Sequence, residues 1–187
     1  MCIFKFLKLS AEVISPTISN IFNKCISDGV FPKSLKSAEV IPLFKKGDKT
    51  ITSNYCPISL LPPLSKVFER HIHNNLTAFI SKHKLLHKYQ YGFRKNSSTE
   101  MALSQLCEYL ATKLEQKSIT CSIFIDLCKA FDTVDHYILL YKLNCLGIRG
   151  VSANSIQSYL LERTQTTVVN EEKSNPSKTL SPFITVL

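Results

Sequence analysis

The chain of 187 residues is long enough for one domain with a hydrophobic core, since 44% of its residues are hydrophobic and 20% are charged. This composition excludes disorder over most of the length, and no apolar run reaches the roughly 18 residues of a membrane span. The 23 lysines and arginines outnumber the 14 acidic residues and leave a net charge of +9, which favours a polyanionic partner, although a merely basic soluble protein has the same charge.

The N-terminal segment and the cysteines indicate a reducing compartment. The opening M-C-I-F-K-F-L-K-L-S is interrupted by Lys5 and Lys8 and lacks the long apolar stretch and the cleavage site of a signal peptide. Seven cysteines, an odd number without a C-x-x-C pair, argue against a disulfide framework and against a structural zinc site. We therefore expect reduced thiols and a location in the cytoplasm or nucleus.

The first predicted helix begins at Ser15 and ends at Gly29. Serine is a favourable N-cap, and Pro16 suits the first helical position because its missing N–H would have no helical partner there. One face of the helix is apolar, which predicts that it packs on a core: Ile18, Ile21, Phe22, Cys25 and Ile26.

The next segment, A-E-V-I-P-L-F-K-K-G-D-K, predicts a strand that runs into a basic turn. Pro42 lies inside the apolar part, and since proline cannot donate to a neighbouring strand, an edge position is expected. The turn forms at residues 47–48 and carries Lys45, Lys46 and Lys49. A basic turn of this kind is usually only solvated surface.

A long amphipathic helix, predicted from Leu64 to Lys84, leads into a basic and aromatic segment. Residues 82–95 hold five lysines and arginines, two histidines and no acid, interleaved with Tyr89, Tyr91 and Phe93. Proteins that bind single-stranded nucleic acid use charge for the backbone and aromatic rings for stacking. The alternative is a solvated loop with buried rings.

Residues 97–136 hold the next helix and the stretch around which the chain is organised. Ser97 and Glu100 form a capping box that opens the helix. From Ile119 to Leu127, apolar and more polar residues alternate, which predicts a half-buried strand with Asp126 at its C-terminal end. A carboxylate there can hold a divalent cation at the rim of a sheet, because Mg²⁺ prefers oxygen ligands. An aspartate before a turn is, however, more often only an N-cap or a turn residue.

Two more helices are predicted in the last third of the chain. The first is expected from Ile138 to Leu146, with Gly147 as its cap, and the second from Ser152 to Leu161.

Four blocks of sequence follow one another along the chain: I-P-L-F-K-K-G-D-K with N-Y-C-P-I-S-L, Q-Y-G-F-R-K-N-S-S-T, F-I-D-L-C-K-A-F-D-T-V-D-H, and Y-L-L-E-R-T-Q-T-T-V-V. They resemble segments of the reverse transcriptases of non-long-terminal-repeat retrotransposons, the jockey-like and related LINE elements. In that order, the segments are the fingers region, the link between fingers and palm, the first catalytic motif and a later segment that leads to a strand. The resemblance extends from about Pro16 to about Val169.

For the catalytic motif, the resemblance implies a metal site and a nucleotide gate. Asp126 would be one of three carboxylates that hold two Mg²⁺ ions, and Phe131 would exclude the ribose 2′-hydroxyl. The implied activity is RNA-templated DNA synthesis, in which the ions activate the primer 3′-hydroxyl and steady the leaving pyrophosphate. The other two carboxylates are adjacent aspartates on a neighbouring strand, and the chain has no such pair. Asp132 and Asp135 cannot easily replace them because they follow in the same segment, so the chain is expected to be truncated and catalytically incomplete.

For the fingers, the resemblance implies contacts to phosphate. Lys45 or Lys46 would contact the incoming nucleotide, and Arg94 and Lys95 are expected to bind nucleic acid. The family has an arginine where this chain has Cys56, and a thiol offers neither the fixed charge nor the bidentate fork of arginine. That contact is expected to be lost, unless residue 56 only fills a turn.

We therefore predict the fingers and partial palm of a right-hand polymerase, an α+β fold with helices packed on a small antiparallel sheet. The expected divisions are an N-terminal extension and helix at 1–30, a fingers region at 31–118, a partial palm at 119–170 and a divergent tail at 171–187. The expected function is that of a fragment of an RNA-directed DNA polymerase that takes an RNA template and a DNA primer. The alternatives are a non-catalytic module that binds nucleic acid or a protein partner, and a translated relic without a role.

Overall fold

The computed structural model describes residues 3–127, 130–131 and 133–179, and these residues form helices and a small sheet. The α+β class predicted from the sequence is confirmed. Within the described ranges, no helix combines the length and the apolar character that a membrane crossing requires. The elements, in chain order, are α1 (Ile3–Leu9), α2 (Ala11–Asp28), β1 (Ser37–Phe44), β2 (Tyr55–Leu60), α3 (Pro63–Lys82), α4 (Thr99–Glu115), α5 (His136–Cys145), α6 (Gly150–Leu160), β3 (Thr164–Val169), β4 (Glu172–Lys173) and β5 (Ser177–Lys178).

The chain divides into two units. One comprises Met1–His73 together with Lys129–Leu187, and the other comprises Asn74–Cys128. The first unit contains the sheet and the buried apolar side chains, whereas the second contains the end of α3, all of α4 and the segments beside them. The functional divisions at residues 30, 118 and 170 stay a prediction.

The sheet places β1 between β2 and β3. Strand β2 is antiparallel to β1, β3 is parallel to β1, and β4 and β5 both pair antiparallel with β3. The sheet is therefore mixed and not purely antiparallel as predicted. The parallel pairing is possible because a long helical connection separates β1 from β3, whereas the loop of residues 45–54 joins the antiparallel strands β1 and β2. Strands β4 and β5 lie in the predicted tail, where no strand was expected.

Pro42 occupies β1 although β1 is not an edge strand, so the prediction of a strand is confirmed and the edge position is corrected. Pro42 lies opposite Pro57 of β2, and β3 pairs only with Ser37–Val40. The Lys45 N–H donates to the Asn54 carbonyl at 2.9 Å. Because bonded and non-bonded pairs alternate in an antiparallel ladder, the two prolines face each other at a non-bonded position. The N–H that each proline lacks is therefore not needed between these two strands.

The hydrophobic core of the first unit is built on stacked aromatic rings. Phe31 and Phe68 are 1% and 2% exposed, and their ring centroids lie 5.2 Å apart. Phe22 of α2 stacks on Phe68 at 4.3 Å, and Tyr159 of α6 meets Phe31 edge-on at 5.1 Å. Cys25 packs beside them, so α2 is a packing helix as predicted. Burial of each phenylalanine contributes roughly 1.5–3 kcal/mol.

The start of α2 differs from the prediction, whereas its end agrees with it. The helix begins at Ala11, so Pro16 lies inside it and Ser15 is not the cap. Helix α1, which precedes α2, was not predicted. The Ser10 N–H donates to a carbonyl of α1, so helical turns are already formed before the chain reaches Pro16. Gly29 ends the helix at φ +68°, a left-handed conformation that favours glycine.

The later helices agree closely with the predicted ones, apart from one cap. Helices α3, α5 and α6 begin and end within two residues of their predicted bounds. Helix α4 is capped by Ser98 and not by Ser97, because the Ser98 Oγ accepts from the Met101 N–H at 3.2 Å. The capping-box prediction at Ser97 is therefore wrong by one residue.

Candidate functional site

The segment that carries Asp126 is not a strand. Residues 118–127 have no regular secondary structure, and the side chains of Ile119, Ile123 and Ile125 are 102%, 82% and 83% exposed. The predicted half-buried strand is therefore wrong. A strand is held by the backbone of a partner strand. In the described part of the chain, β1 pairs with β2 and β3, and β3 also pairs with β4 and β5, so none of these strands pairs with residues 118–127. Asp126 lies exposed in the unit Asn74–Cys128.

The described residues do not form a metal site around Asp126. Within residues 3–127, 130–131 and 133–179, no group of three histidine, cysteine or acidic side chains could hold a cation. Asp132 lies outside the described residues. Asp135 instead caps α5, where its Oδ1 accepts from the N–H groups of Tyr137 and Ile138 at 2.8 and 3.0 Å. One exposed carboxylate does not supply the ligands that a pair of Mg²⁺ ions needs, so these residues do not fit that pair.

Phe131, the predicted nucleotide gate, lies in a turn shortly before α5. Its side chain is 40% exposed. It belongs to the unit that contains the sheet, and its role as a gate stays a prediction.

Lys45 and Lys46 lie exposed on the loop that joins β1 to β2. Asp48 fixes the conformation of this loop, because its Oδ1 accepts from the Thr50 N–H at 2.9 Å and from the Thr50 hydroxyl at 2.8 Å. These two hydrogen bonds lower the pKa of Asp48. Gly47 adopts φ +94°, which a residue with a side chain rarely does. The loop therefore presents both lysines to solvent from an ordered backbone.

Cys56 lies in β2, directly opposite Leu43 of β1, and its free thiol is half-buried. Side chains two residues apart on a strand share a face, so Leu43 and Lys45 lie on the same face of the ribbon. Cys56 shares that face because it is directly opposite Leu43. The register therefore places position 56 on the face of Lys45, whereas Lys46 follows in the bend that opens the loop.

The connection between α3 and α4 exposes cationic and aromatic side chains together. Arg94 and Lys95 are exposed, and the rings of Tyr89 and Phe93 are 55% and 83% exposed. The Lys88 ammonium lies 4.7 Å from the centroid of the Tyr89 ring. Phe93 has φ +57°, which is uncommon for a bulky residue and turns the backbone sharply before Arg94. The alternative of buried rings is therefore wrong for Tyr89 and Phe93.

A buried polar network in the first unit was not predicted. Arg163 is 1% exposed and Glu69 is 8% exposed, and the Arg163 Nη2 lies 3.8 Å from the Glu69 Oε1. The Arg163 Nη1 donates to the Tyr159 carbonyl at 3.0 Å, and the guanidinium lies 4.7 Å from the Tyr159 ring centroid. Ser65 Oγ is 3.1 Å from the Glu69 Oε1. The network ties α3 to the corner between α6 and β3.

Burial changes the acidity of two groups in this network. It raises the pKa of Glu69 above its ordinary value, even though hydrogen bonds and the Arg163 charge act in the opposite direction. It also raises the pKa of Tyr159 to about 12, and the negative charge of Glu69 adds to that increase. Both groups are therefore more readily protonated in the folded protein than in the unfolded chain.

Comparison with known proteins gives a consistent result. The family model described as "Reverse transcriptase (RNA-dependent DNA polymerase)" matches residues 44–183. The "RNA-directed DNA polymerase from mobile element jockey" of Drosophila melanogaster is 36% identical over 156 residues, which are 83% of this chain and 17% of that protein. The protein of the same description from Drosophila funebris is 36% identical over 127 residues, which are 67% of this chain and 14% of that protein.

A more distant relative comes from another mobile element. The "Retrovirus-related Pol polyprotein from type-1 retrotransposable element R2" of Popillia japonica is 30% identical over 122 residues, which are 65% of this chain and 17% of that protein. The chain thus spans about a sixth of the length of these relatives.

Proposed function

The chain belongs to the reverse transcriptase (RNA-dependent DNA polymerase) family of non-LTR mobile elements, and we propose that its residues bind the nucleic acid and nucleotide phosphates of such a polymerase. In this proposal, residues 31–118 are the fingers of a right-hand polymerase, and residues 119–170 are part of its palm. The partners are an RNA template and a DNA primer.

The exposed rings and cations between α3 and α4 carry the proposal. The side chains of Tyr89 and Phe93 are 55% and 83% exposed, in the same connection as the exposed Arg94 and Lys95. Stacking on an aromatic ring contributes about 1–3 kcal/mol per base and tolerates any base, whereas cations contact the phosphates. This arrangement supports binding of single-stranded nucleic acid with little sequence preference.

The hairpin of β1 and β2 supports a second contact in the proposal. Lys45 lies exposed on an ordered loop, on the face of the ribbon that position 56 shares. An ordered lysine is suited to a phosphate as a point charge. We assign Lys45, ahead of Lys46, to the phosphates of the incoming nucleotide.

Polymer synthesis is not proposed for these residues by themselves. In the family, a pair of Mg²⁺ ions supplies the catalytic chemistry, and Asp126 would be one of their ligands. Among the residues that the structure describes, no group of three histidine, cysteine or acidic side chains could hold a cation. The proposal is therefore limited to binding.

Titration of a fluorescent single-stranded RNA at several salt concentrations tests the proposal. If roughly five or six phosphates are contacted, affinity should fall on the order of a hundredfold between about 50 and about 200 mM salt. The double substitution Arg94→Ala with Lys95→Ala should make the slope of log affinity against log salt shallower by about 1.4. Tyr89→Ala with Phe93→Ala should weaken binding without changing that slope, because stacking releases no counterions.

The matched control is Lys5→Ala with Lys8→Ala, which removes two exposed charges from α1. This control should leave the slope unchanged. A flat response to salt in the parent protein, or an equal effect of both charge-removing variants, would contradict the proposed binding segment.

A further inference from the structure

Lys36, which precedes β1, is a buried lysine. The residue is only 4% exposed. Its backbone is held in place because its carbonyl accepts from the Thr164 N–H at 3.3 Å. Its Nζ lies 3.4 Å from the Ser158 Oγ, a long hydrogen bond. No carboxylate in the described part of the chain forms an ion pair with it, and buried charges are usually paired.

The Lys36 side chain lines a cavity of about 270 Å³ against one face of α6, together with Asn154, Gln157, Ser158, Leu161 and Glu162. Ser158 Oγ already accepts from the Phe31 N–H at 2.9 Å and from Lys36. Its own hydroxyl hydrogen is left to donate to something else. The amides of Asn154 and Gln157 add neutral donors. A water occupies about 30 Å³, so the cavity has room for a tetrahedral oxyanion and several waters.

Glu162 is the one acidic side chain on the cavity wall, and it opposes an anion. Its carboxylate is 69% exposed, and its Oε2 lies 4.0 Å from the Lys33 Nζ. Burial lowers the pKa of the Lys36 ammonium despite the attraction of Glu162. The surrounding protein therefore stabilises the Lys36 charge less well than water does, and a bound anion would restore that stabilisation.

We propose that this cavity binds a phosphate group, with Lys36 as its cation and Ser158, Asn154 and Gln157 as its neutral donors. The phosphate belongs either to a free phosphate ion or to the backbone of a nucleic acid. None of these residues is among the contacts proposed above at Lys45, Tyr89, Phe93, Arg94 and Lys95. The nucleic-acid source rests on the proposed function, whereas binding of inorganic phosphate does not.

The experiment measures binding of inorganic phosphate by calorimetry and of the fluorescent RNA by titration, with the whole 187-residue chain. Lys36→Met keeps the length of the side chain but removes the charge. It should lower the affinity for the ligand that occupies the site, phosphate or RNA, about tenfold to a hundredfold. Glu162→Gln should raise the affinity for that ligand several-fold, because a nearby negative charge is removed. Lys24→Met is the matched control, because Lys24 is an exposed lysine that pairs with Asp28 on α2. It should change the affinity for neither ligand by more than about twofold.

The two ligands separate the two sources. If binding of inorganic phosphate depends on Lys36, the free ion is sufficient to occupy the site. If Lys36→Met lowers only the affinity for RNA, and by more than Lys24→Met does, the site binds the nucleic-acid backbone. If Lys36→Met binds both ligands as Lys24→Met does, the proposal is overturned. Should Lys36→Met fail to fold, Gln157→Glu decides, because Gln157 is exposed. A carboxylate there must abolish the Lys36-dependent binding, and unchanged binding of both ligands rejects the site.

Discussion

Cys56 occupies the position in the predicted fingers region where the sequence resemblance implies an arginine. The half-buried thiol lies opposite Leu43, on the face of the β1–β2 ribbon that it shares with Lys45. Position 56 therefore lies within a strand and does not fill a turn.

Cys56→Arg should therefore tighten binding of a deoxynucleoside triphosphate to this chain. A hydrogen bond between charged groups contributes about 1.5–3 kcal/mol, which is roughly tenfold to a hundredfold in affinity. Titration with a fluorescent nucleotide measures the change. Cys107→Arg adds the same charge at an exposed thiol on α4 and serves as control. Equal affinities of the two variants would show that position 56 has no special relation to the nucleotide.

The network of Glu69, Tyr159 and Arg163 ties stability to pH. Because the pKa of Tyr159 is raised to about 12 from 10.0, the folded state keeps the phenolic proton at a pH where the unfolded state loses it. The stabilisation is fully present below pH 10 and is lost as the pH rises through the folded pKa. A change of about two pKa units corresponds to roughly 2–3 kcal/mol.

Tyr159→Phe should remove this part of the pH dependence. We expect the free energy of unfolding of the parent protein to fall more steeply between about pH 10 and about pH 12 than that of the variant, by roughly 2–3 kcal/mol over the interval. Urea denaturation across that pH range measures both curves. Tyr141→Phe is the control, because Tyr141 is 71% exposed and should follow the parent curve. Parallel curves for the parent and Tyr159→Phe would contradict the raised pKa.

Single residues were predictable from the sequence where their role is local. Lys45, Arg94 and Lys95 are exposed as a basic turn and a basic loop require. The Arg163–Glu69 contact was not predictable, because it joins residues that are far apart in the chain. A signal for it exists: Ser65 and Glu69 are four residues apart, so the two polar side chains lie side by side next to the apolar stripe of α3.

Among the elements, the helices were largely predictable because their signals are local. The spacing of apolar residues indicated α3, and the glycine caps indicated where α2 and α5 end. The sheet was less predictable, because the parallel pairing of β1 with β3 depends on the path of the whole chain between them.

The N-cap of α4 gives a test at this scale. Ser98→Ala removes the acceptor of the Met101 N–H and should lower the local stability of α4 by about 0.5–2 kcal/mol. Ser97→Ala, one residue earlier, should have little effect although the sequence pattern favoured Ser97. Amide hydrogen exchange of α4 residues measures the local stability of each variant. A larger effect of Ser97→Ala would restore the cap predicted from the sequence.

Residues 118–127 show why an alternating pattern alone does not make a strand. Alternation describes which side chains would share a face, but a strand also needs a partner that satisfies its N–H and C=O groups. Such a partner is lacking for 118–127 among the residues the structure describes. The apolar side chains from Ile119 to Leu127 consequently face solvent.

Amide hydrogen exchange should be faster in residues 119–127 than in the sheet. Amides of residues 119–127 lack the hydrogen bonds of a helix or strand and should exchange within seconds, close to the rate of an unfolded chain, whereas the Ser118 N–H still donates to the Lys113 carbonyl of α4. Amides of β1 between its two partner strands should be protected much longer, because they exchange only when the sheet opens. Mass spectrometry of exchanged peptides measures both. Strong protection of 119–127 would mean that the segment pairs as a strand in solution.

At the scale of the whole molecule, the net charge relates to binding of nucleic acid, whereas the set of possible metal ligands relates to polymer synthesis. A net charge of +9 favours association with a polyanion over the entire chain. A metal site requires several carboxylates at one point, and a surplus of lysines does nothing to supply them. We therefore expect the proposed binding of nucleic acid to be separable from polymer synthesis in these residues.

This separation predicts the outcome of a primer-extension assay. The chain, mixed with an RNA template, an annealed DNA primer, deoxynucleotides and Mg²⁺ or Mn²⁺, should bind the RNA but yield no extended primer. The reason is that Asp126 is exposed and that the described residues contain no group of three histidine, cysteine or acidic side chains that could hold a metal ion. Asp126→Ala should accordingly bind the RNA as well as the parent does, since it removes only one exposed negative charge. Labelled product that disappears on Asp126→Ala would reverse this conclusion, because it would require Asp132 or a second copy of the chain to complete the metal site.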